Sequence, residues 1–136
     1  MSLLKSIHTR WAADATLSAL LPSSRVFTGN AEQAADEPTR PYATIATLVS
    51  DPPTYTNTTR YGRRSIQFTL YEDAGRHDQC IALAAAVCDA FDRARFSMDD
   101  GIALNMQLTG EPQELQDDRG RWYSVVGFGV TTEATL

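Results

Sequence analysis

One stretch constrains the fold more than any other. Residues 64 to 71 read Arg-Ser-Ile-Gln-Phe-Thr-Leu-Tyr, with Ile66, Phe68 and Leu70 alternating with Ser65, Gln67 and Thr69. A period of two marks a strand with one buried face. A turn at Glu72-Asp73-Ala74-Gly75 follows. Residues 77 to 95 then place Ile81, Ala84, Ala85, Cys88 and Phe91 at spacings of three and four, one apolar stripe on a helix. A strand that must bury one face and a helix that must bury one stripe are natural partners. The rest of the chain reads as more sheet for this helix to cover.

Residues 2 to 13 set Leu3, Leu4, Ile7 and Trp11 opposite Lys5, Ser6 and Arg10, an amphipathic helix. Asp14 is placed to cap a second short helix carrying Leu17, Leu20 and Leu21, which Pro22 ends. Residues 25–28 are expected as a short strand. Residues 30–41, polar and with two prolines, are expected as a surface loop. Residues 42–49 are rich in strand formers with both faces partly apolar, which suits an inner strand.

Residues 50 to 64 have strand-forming side chains but no apolar side to bury, and form an extended arm. The arm reads either as a contact element for another subunit or as a mobile loop. Residues 96–101 form a turn and 102–109 alternate as a strand. Gly110-Glu-Pro112 reads as a bulge or bend, beyond which 113–117 continue the strand. Asp118-Arg119-Gly120-Arg121 is a hairpin turn with Gly at a position that tolerates positive φ. The last strand, 122–132, carries Gly127 and Gly129 on one face, so something packs closely there or the strand bends.

The expected fold is therefore α+β. It has a four- to five-stranded, mostly antiparallel sheet, with the N-terminal helix pair and one central helix on one face. Residues 1–136 form a single domain with the arm at 50–64. Trp11, Ile66, Phe68, Leu70, Ile81, Phe91, Leu104, Phe128 and Val130 are the expected core.

With 43% apolar residues the chain can build such a core, and its net charge of -5 opposes indiscriminate binding to nucleic acid or anionic membranes. No apolar run approaches the ~20 residues of a membrane helix, and no signal peptide is expected. Cys80 and Cys88 are eight residues apart on one helix, roughly 12 Å. That is beyond disulfide reach, so they are expected as small buried thiols in a reducing compartment.

Motifs of chemistry are sparse. His77 and Cys80 can face each other on the helix, but a core thiol near a helix-start histidine explains them without a metal. Asp99-Asp100-Gly101 and Asp117-Asp118 adjoin glycines in turns, and turn chemistry accounts for them. Asn57-Thr58-Thr59 fits the glycosylation pattern by chance. No nucleophile elbow, dinucleotide fingerprint or P-loop is present.

The one clustered feature is basic and aromatic: Arg60, Tyr61, Arg63 and Arg64. Tyr55 lies on the arm nearby in sequence, and Arg119 and Arg121 lie near in space if the last hairpin pairs beside this strand. The cluster reads as a contact with a protein partner or with phosphates, or as a charged strand edge that discourages aggregation. A small nucleic-acid-binding domain, or an enzyme using His77, Asp99 and Asp100, stands as the alternative.

Several short runs carry a resemblance: A-D-A-T-L-S-A-L-L-P (13–22), R-V-F-T-G (25–29), R-P-Y-A-T-I (40–45), F-T-L-Y (68–71) and A-x-x-x-C-D-A-F (84–91). Together with the two closing strands, they make the chain resemble the tail-completion, or tail-terminator, family of long-tailed bacteriophages and phage-like particles, including gene transfer agents. The resemblance implies a ring, commonly a hexamer, at the head-proximal end of the tail tube. Such a ring stops tube polymerisation and docks the head connector or stopper, and DNA slides through its lumen. It implies assembly in the bacterial host cytoplasm, no membrane, no cofactor and no catalysis. The arm departs from the family in its length and threonine content.

Overall fold

The computed structural model describes residues 3–28, 40–72, 76–97 and 103–135. The amphipathic start forms α1 (Leu3–Ala13), burying Leu3, Ser6, Ile7 and Trp11. Asp14 caps α2 (Ala15–Leu20), its carboxylate accepting from the Leu17 N–H at 3.0 Å. This satisfies one of the orphan donors of a helix start. A single 3-10 turn at Ser23–Arg25 leads into β1 (Val26–Thr28). Then come β2 (Tyr42–Ser50), β3 (Thr54–Tyr55), β4 (Thr59–Tyr71), α3 (His77–Phe91), β5 (Arg95–Ser97), β6 (Ala103–Leu108), β7 (Gln113–Gln116) and β8 (Trp122–Thr135).

All eight strands join one sheet, of order β1-β2-β4-β8-β6-β5, with β3 beside β4 and β7 beside β8. The expectation of four or five strands is corrected to eight. The extra ones are short edge pieces of two to four residues, too short to show a readable period. β5 occupies residues expected as helix end and turn, because α3 stops at Phe91 and Arg93 takes a left-handed backbone with φ 60. Pairing is antiparallel except between β1 and β2, which run parallel.

β4 is the axis. It pairs with β8 over its whole length, from Thr59 opposite Thr135 to Tyr71 opposite Tyr123. On its other flank lie β2 and β3. β6 and β7 lie end to end along β8, with Leu108 opposite Phe128 and Gln113 opposite Val125. Two more residues separate Leu108 from Gln113 than separate Phe128 from Val125. The bulge at 109–112 expected from Gly110 and Pro112 takes up that difference. There the Thr109 N–H donates to Gly127 O at 3.1 Å. Its side chain lies over the glycine: a Cβ built at Gly127 would stand 2.8 Å from Thr109 Oγ1. The close approach expected at the glycine face is thus made by Thr109.

One core cluster joins α1, α2 and α3 to the sheet. Phe68 sits at its centre, with ring centroids 6.1 Å from Trp11, 5.1 Å from Phe91 and 5.5 Å from Phe128. Trp11 Nε1 donates to Leu21 O at 2.9 Å, so its one polar atom is satisfied. On α3 the buried residues are Cys80, Leu83, Ala84, Ala86, Val87 and Phe91. The expected stripe began one residue late. Ile81 is 45% exposed and leaves the core list, and Ala85 is exposed as well.

Candidate interaction surface

The buried face of the sheet ends at Ile66 on β4 and Leu104 on β6, with Val130 between them on β8. Beyond that line the strands continue outward as a ribbon. Ser50 lies opposite Arg64, the Asp51 N–H donates to Arg63 O at 3.0 Å, and Thr54 and Tyr55 pair with Tyr61 and Arg60. Pro52-Pro53 interrupts the outer edge, where a missing N–H costs nothing in a ladder. Thr56 closes the tip. Its N–H donates to Thr59 O at 2.8 Å, and its Oγ1 accepts from the Thr59 N–H at 3.0 Å.

Every residue from Asp51 to Thr58 is exposed, and Tyr55 is 59% exposed. At the base of the arm, Gly62 allows close approach, since a Cβ there would lie 2.6 Å from Thr132 Oγ1. The arm is therefore a hairpin, held by backbone pairing and turn chemistry and burying no core.

The side chains of β4 alternate across this ribbon. Tyr61 and Arg63 take the face away from the helices, and Arg60 and Arg64 take the other. Arg60, Arg63 and Arg64 are exposed, and none forms an ion pair or side-chain hydrogen bond with a described residue. A shallow polar cleft of about 250 Å³ lies at this end, lined by Arg63 and Arg64 with Asp51, Asn105, Gln107 and Thr131.

Arg119 and Arg121 are not part of this cluster. Their hairpin pairs at the other end of β8, where Tyr123 faces Tyr71, while Arg63 faces Thr131. The eight residues between Tyr123 and Thr131 span ~26 Å. The condition for their proximity held, since β8 does neighbour β4, but the antiparallel register carries the hairpin away.

At that far end Asp117 gathers the polar groups. Arg121 Nε donates to its Oδ2 at 2.8 Å, Arg40 Nη2 at 3.3 Å, and the backbone N–H groups of Arg119 and Arg121 to its Oδ1 at 2.9 Å each. Desolvation pushes the carboxyl up. The N–H donors of Arg121 and Arg119 and the Arg121 guanidinium outweigh it and hold the group below its ordinary value. Arg40 also donates to Glu72 O at 3.2 Å and stands 5.0 Å over the Tyr71 ring. Gly120 has φ 74, the turn geometry expected of it.

Of the residues considered for chemistry, Cys80 and His77 are engaged in packing contacts. Burial raises the Cys80 thiol above its ordinary value, and its Sγ lies 2.8 Å from Ser124 Oγ. A protonated, buried thiol is a poor nucleophile. His77 stacks on Trp122, centroids 3.8 Å apart. Asp99 and Asp100 lie outside the described residues. Among the described residues no group of three His, Cys, Asp or Glu is placed to hold a metal, and no helix is long and apolar enough to cross a membrane.

What the fold offers is an outward ribbon with free cations. The model of the family described as Tail completion protein gp17 matches residues 5–128. The chain belongs to this family. The tail-completion family thus covers all but the first residues of α1, the whole of α2 and the arm, and the first half of β8. A solved chain from a structure titled "Virion of native gene transfer agent (GTA) particle" superposes at a TM-score of 0.74, with 18% identity over 98% of this chain and 96% of that one. At that identity the likeness is one of fold. A second solved chain, 14% identical over 93% of this chain and 94% of its own, gives a TM-score of 0.48. No curated protein matches. Membership makes this tail-completion chain a structural protein of a phage-type tail, the family the short motifs had suggested.

Proposed function

We propose that this protein is a tail terminator. In this reading its copies form a ring, a hexamer, that caps the head-proximal end of the tail tube. The ring stops tube polymerisation and presents a surface to the head connector or stopper, and DNA passes through its acidic lumen without specific binding. It is a non-enzymatic role filled in the host cytoplasm. Tyr55, Arg60, Tyr61, Arg63 and Arg64 form the contact with a neighbouring subunit, and Arg119 and Arg121 a contact at the opposite end. The observation that carries the reading is the match of the tail-completion family over residues 5–128. The ribbon supports it, because an ordered hairpin with no buried side of its own has surface to give to a partner.

The test is the mass in solution by light scattering at two concentrations, alone and with purified tail tubes. A species of six times 15.0 kDa, or tubes capped at one end, is expected. A protein that stays monomeric and leaves tubes uncapped would falsify the reading.

A second reading, binding to duplex nucleic acid, is favoured by the unpaired state of Arg60, Arg63 and Arg64. It requires binding that strengthens as salt falls. No binding at low salt removes it.

A further inference from the structure

We propose that Arg60, Arg63 and Arg64 at the outer end of the ribbon dock on an acidic stripe along α3 and β7 of a second copy of this chain. The inference rests on the ring reading and names the two surfaces that meet.

The stripe consists of Asp89 on α3, Glu111 in the bulge and Glu114 on β7, all exposed and none in an ion pair with a described residue. Asp92 adjoins it and is already engaged, accepting from the Leu108 N–H at 3.0 Å. The local field is negative by an independent sign. Burial raises the Cys88 thiol first, and then the charges of Asp89, Asp92 and Glu111 raise it further. Glu114 acts in the same direction on Cys80. Alongside runs the outer edge of β7, exposed at all four residues, with Leu115 40% exposed. A strand edge with free backbone groups is a ready partner for another chain.

These two surfaces do not neutralise each other within one molecule. Arg63 lies opposite Thr131 and Glu114 opposite Ser124. Seven residues of β8 separate these two, ~23 Å, more than twice the screening length of roughly 8 Å at physiological salt. Glu111 lies nearer, sharing a cleft with Ser65 beside Arg64, yet makes no ion pair with the arginines. Opposite charges displaced along one sheet and unpaired within the molecule favour a head-to-tail contact between copies. A contact of two different surfaces generates a closed ring when its rotation closes. The chain's net charge of -5 also makes another copy a better match for free arginines than a second basic surface would be.

The test uses charge reversal in the full chain. The arm variant carries Arg60→Glu, Arg63→Glu and Arg64→Glu. The stripe variant carries Asp89→Lys, Glu111→Lys and Glu114→Lys. Each is expected to keep the wild-type circular dichroism spectrum and to lose association by more than about tenfold, since close interfacial charge pairs couple strongly. A combined variant with both sets reversed restores complementarity and is expected to recover the wild-type mass. Should a reversed variant not fold, the neutral sets with Gln at the arginines or glutamates and Asn at Asp89 are expected to weaken association in the same sense.

Rings that survive either reversal, or a folded combined variant that stays monomeric, overturn the docking assignment and leave the ring reading standing. A wild type that is monomeric both alone and on tubes removes the ring reading itself. An arm variant that forms wild-type rings but loses duplex DNA binding assigns the arginines to phosphates and overturns the proposal.

Discussion

At the scale of single residues, one close fit in the sheet is Gly127 under Thr109. A methyl at Gly127 has 2.8 Å to Thr109 Oγ1, less than any real contact allows. Gly127→Ala is expected to lower stability by about 1–3 kcal/mol, the usual effect of overpacking. The double variant with Thr109→Ala should recover most of it in urea denaturation.

Asp117 carries a pH signature. Its carboxyl lies lower in the native state than in the unfolded chain, so it stabilises the fold above the unfolded value, and that contribution fades as pH falls through the native one. Asp117→Asn should therefore destabilise at pH 7, with a urea-midpoint difference that narrows toward pH 3. Gly127 was legible as a site of close approach because two glycines on one face of a strand ask for a reason. Ile81 was misjudged because α3 has alanines on both sides of its stripe, so two phases of the 3.6 period fit almost equally well. Only the sheet beneath decides that Leu83 and Val87 face inward.

At the scale of elements, the arm separates from the body. Replacing residues 52–61 by one Asn joins Asp51 to Gly62 through an Asn-Gly pair, a favoured two-residue hairpin loop. Nothing buried is removed, so the melting temperature should move by no more than about 4 °C, the equivalent of ~1 kcal/mol for a chain of this size. Ring formation should be lost. A trimmed protein that assembles normally would detach the arm from assembly.

The arm's first and last residues show what a sequence hides. β4 begins at Thr59, not near Arg64, because residues outside the core alternate polar with polar and give no period to read. The same holds for β3 and β5, whereas β7 falls on residues 113–117, which were expected to continue a strand. Strand count was underestimated wherever burial was absent, whereas β2, the inner half of β4 and most of β8, each with apolar side chains on a buried face, were visible beforehand. The N-cap at Asp14 and the Gly120 turn were legible because both rest on local backbone geometry.

At the scale of the whole molecule, burial and charge divide the work. Core side chains from the helices and the sheet form one cluster, and the exposed rim of the sheet carries the charge. The candidate interface was only half legible. Arg60, Arg63 and Arg64 adjoin in sequence and stay at one end of the sheet, Arg63 on the face opposite Arg60 and Arg64, but Arg119 and Arg121 were grouped with them although the register places them at the far end. The α3–β7 stripe joins residues more than twenty apart in sequence, and no local pattern reveals it. Arg40, in the R-P-Y-A-T-I run, is an organising residue. It ties the entry to β2 to the end of β4 and to the last hairpin.

Because β4 runs from a sealed core into an outward ribbon without a break, one strand holds two timescales. Amides at Ile66 to Leu70 should exchange with deuterium only when the domain unfolds as a whole. Those at Thr59 to Arg63 should exchange through local opening that leaves the core intact. Any partner that seats on the ribbon would slow the second group and leave the first unchanged. A deuterium time course along this one strand would thus report when, and with what, the outer end becomes occupied.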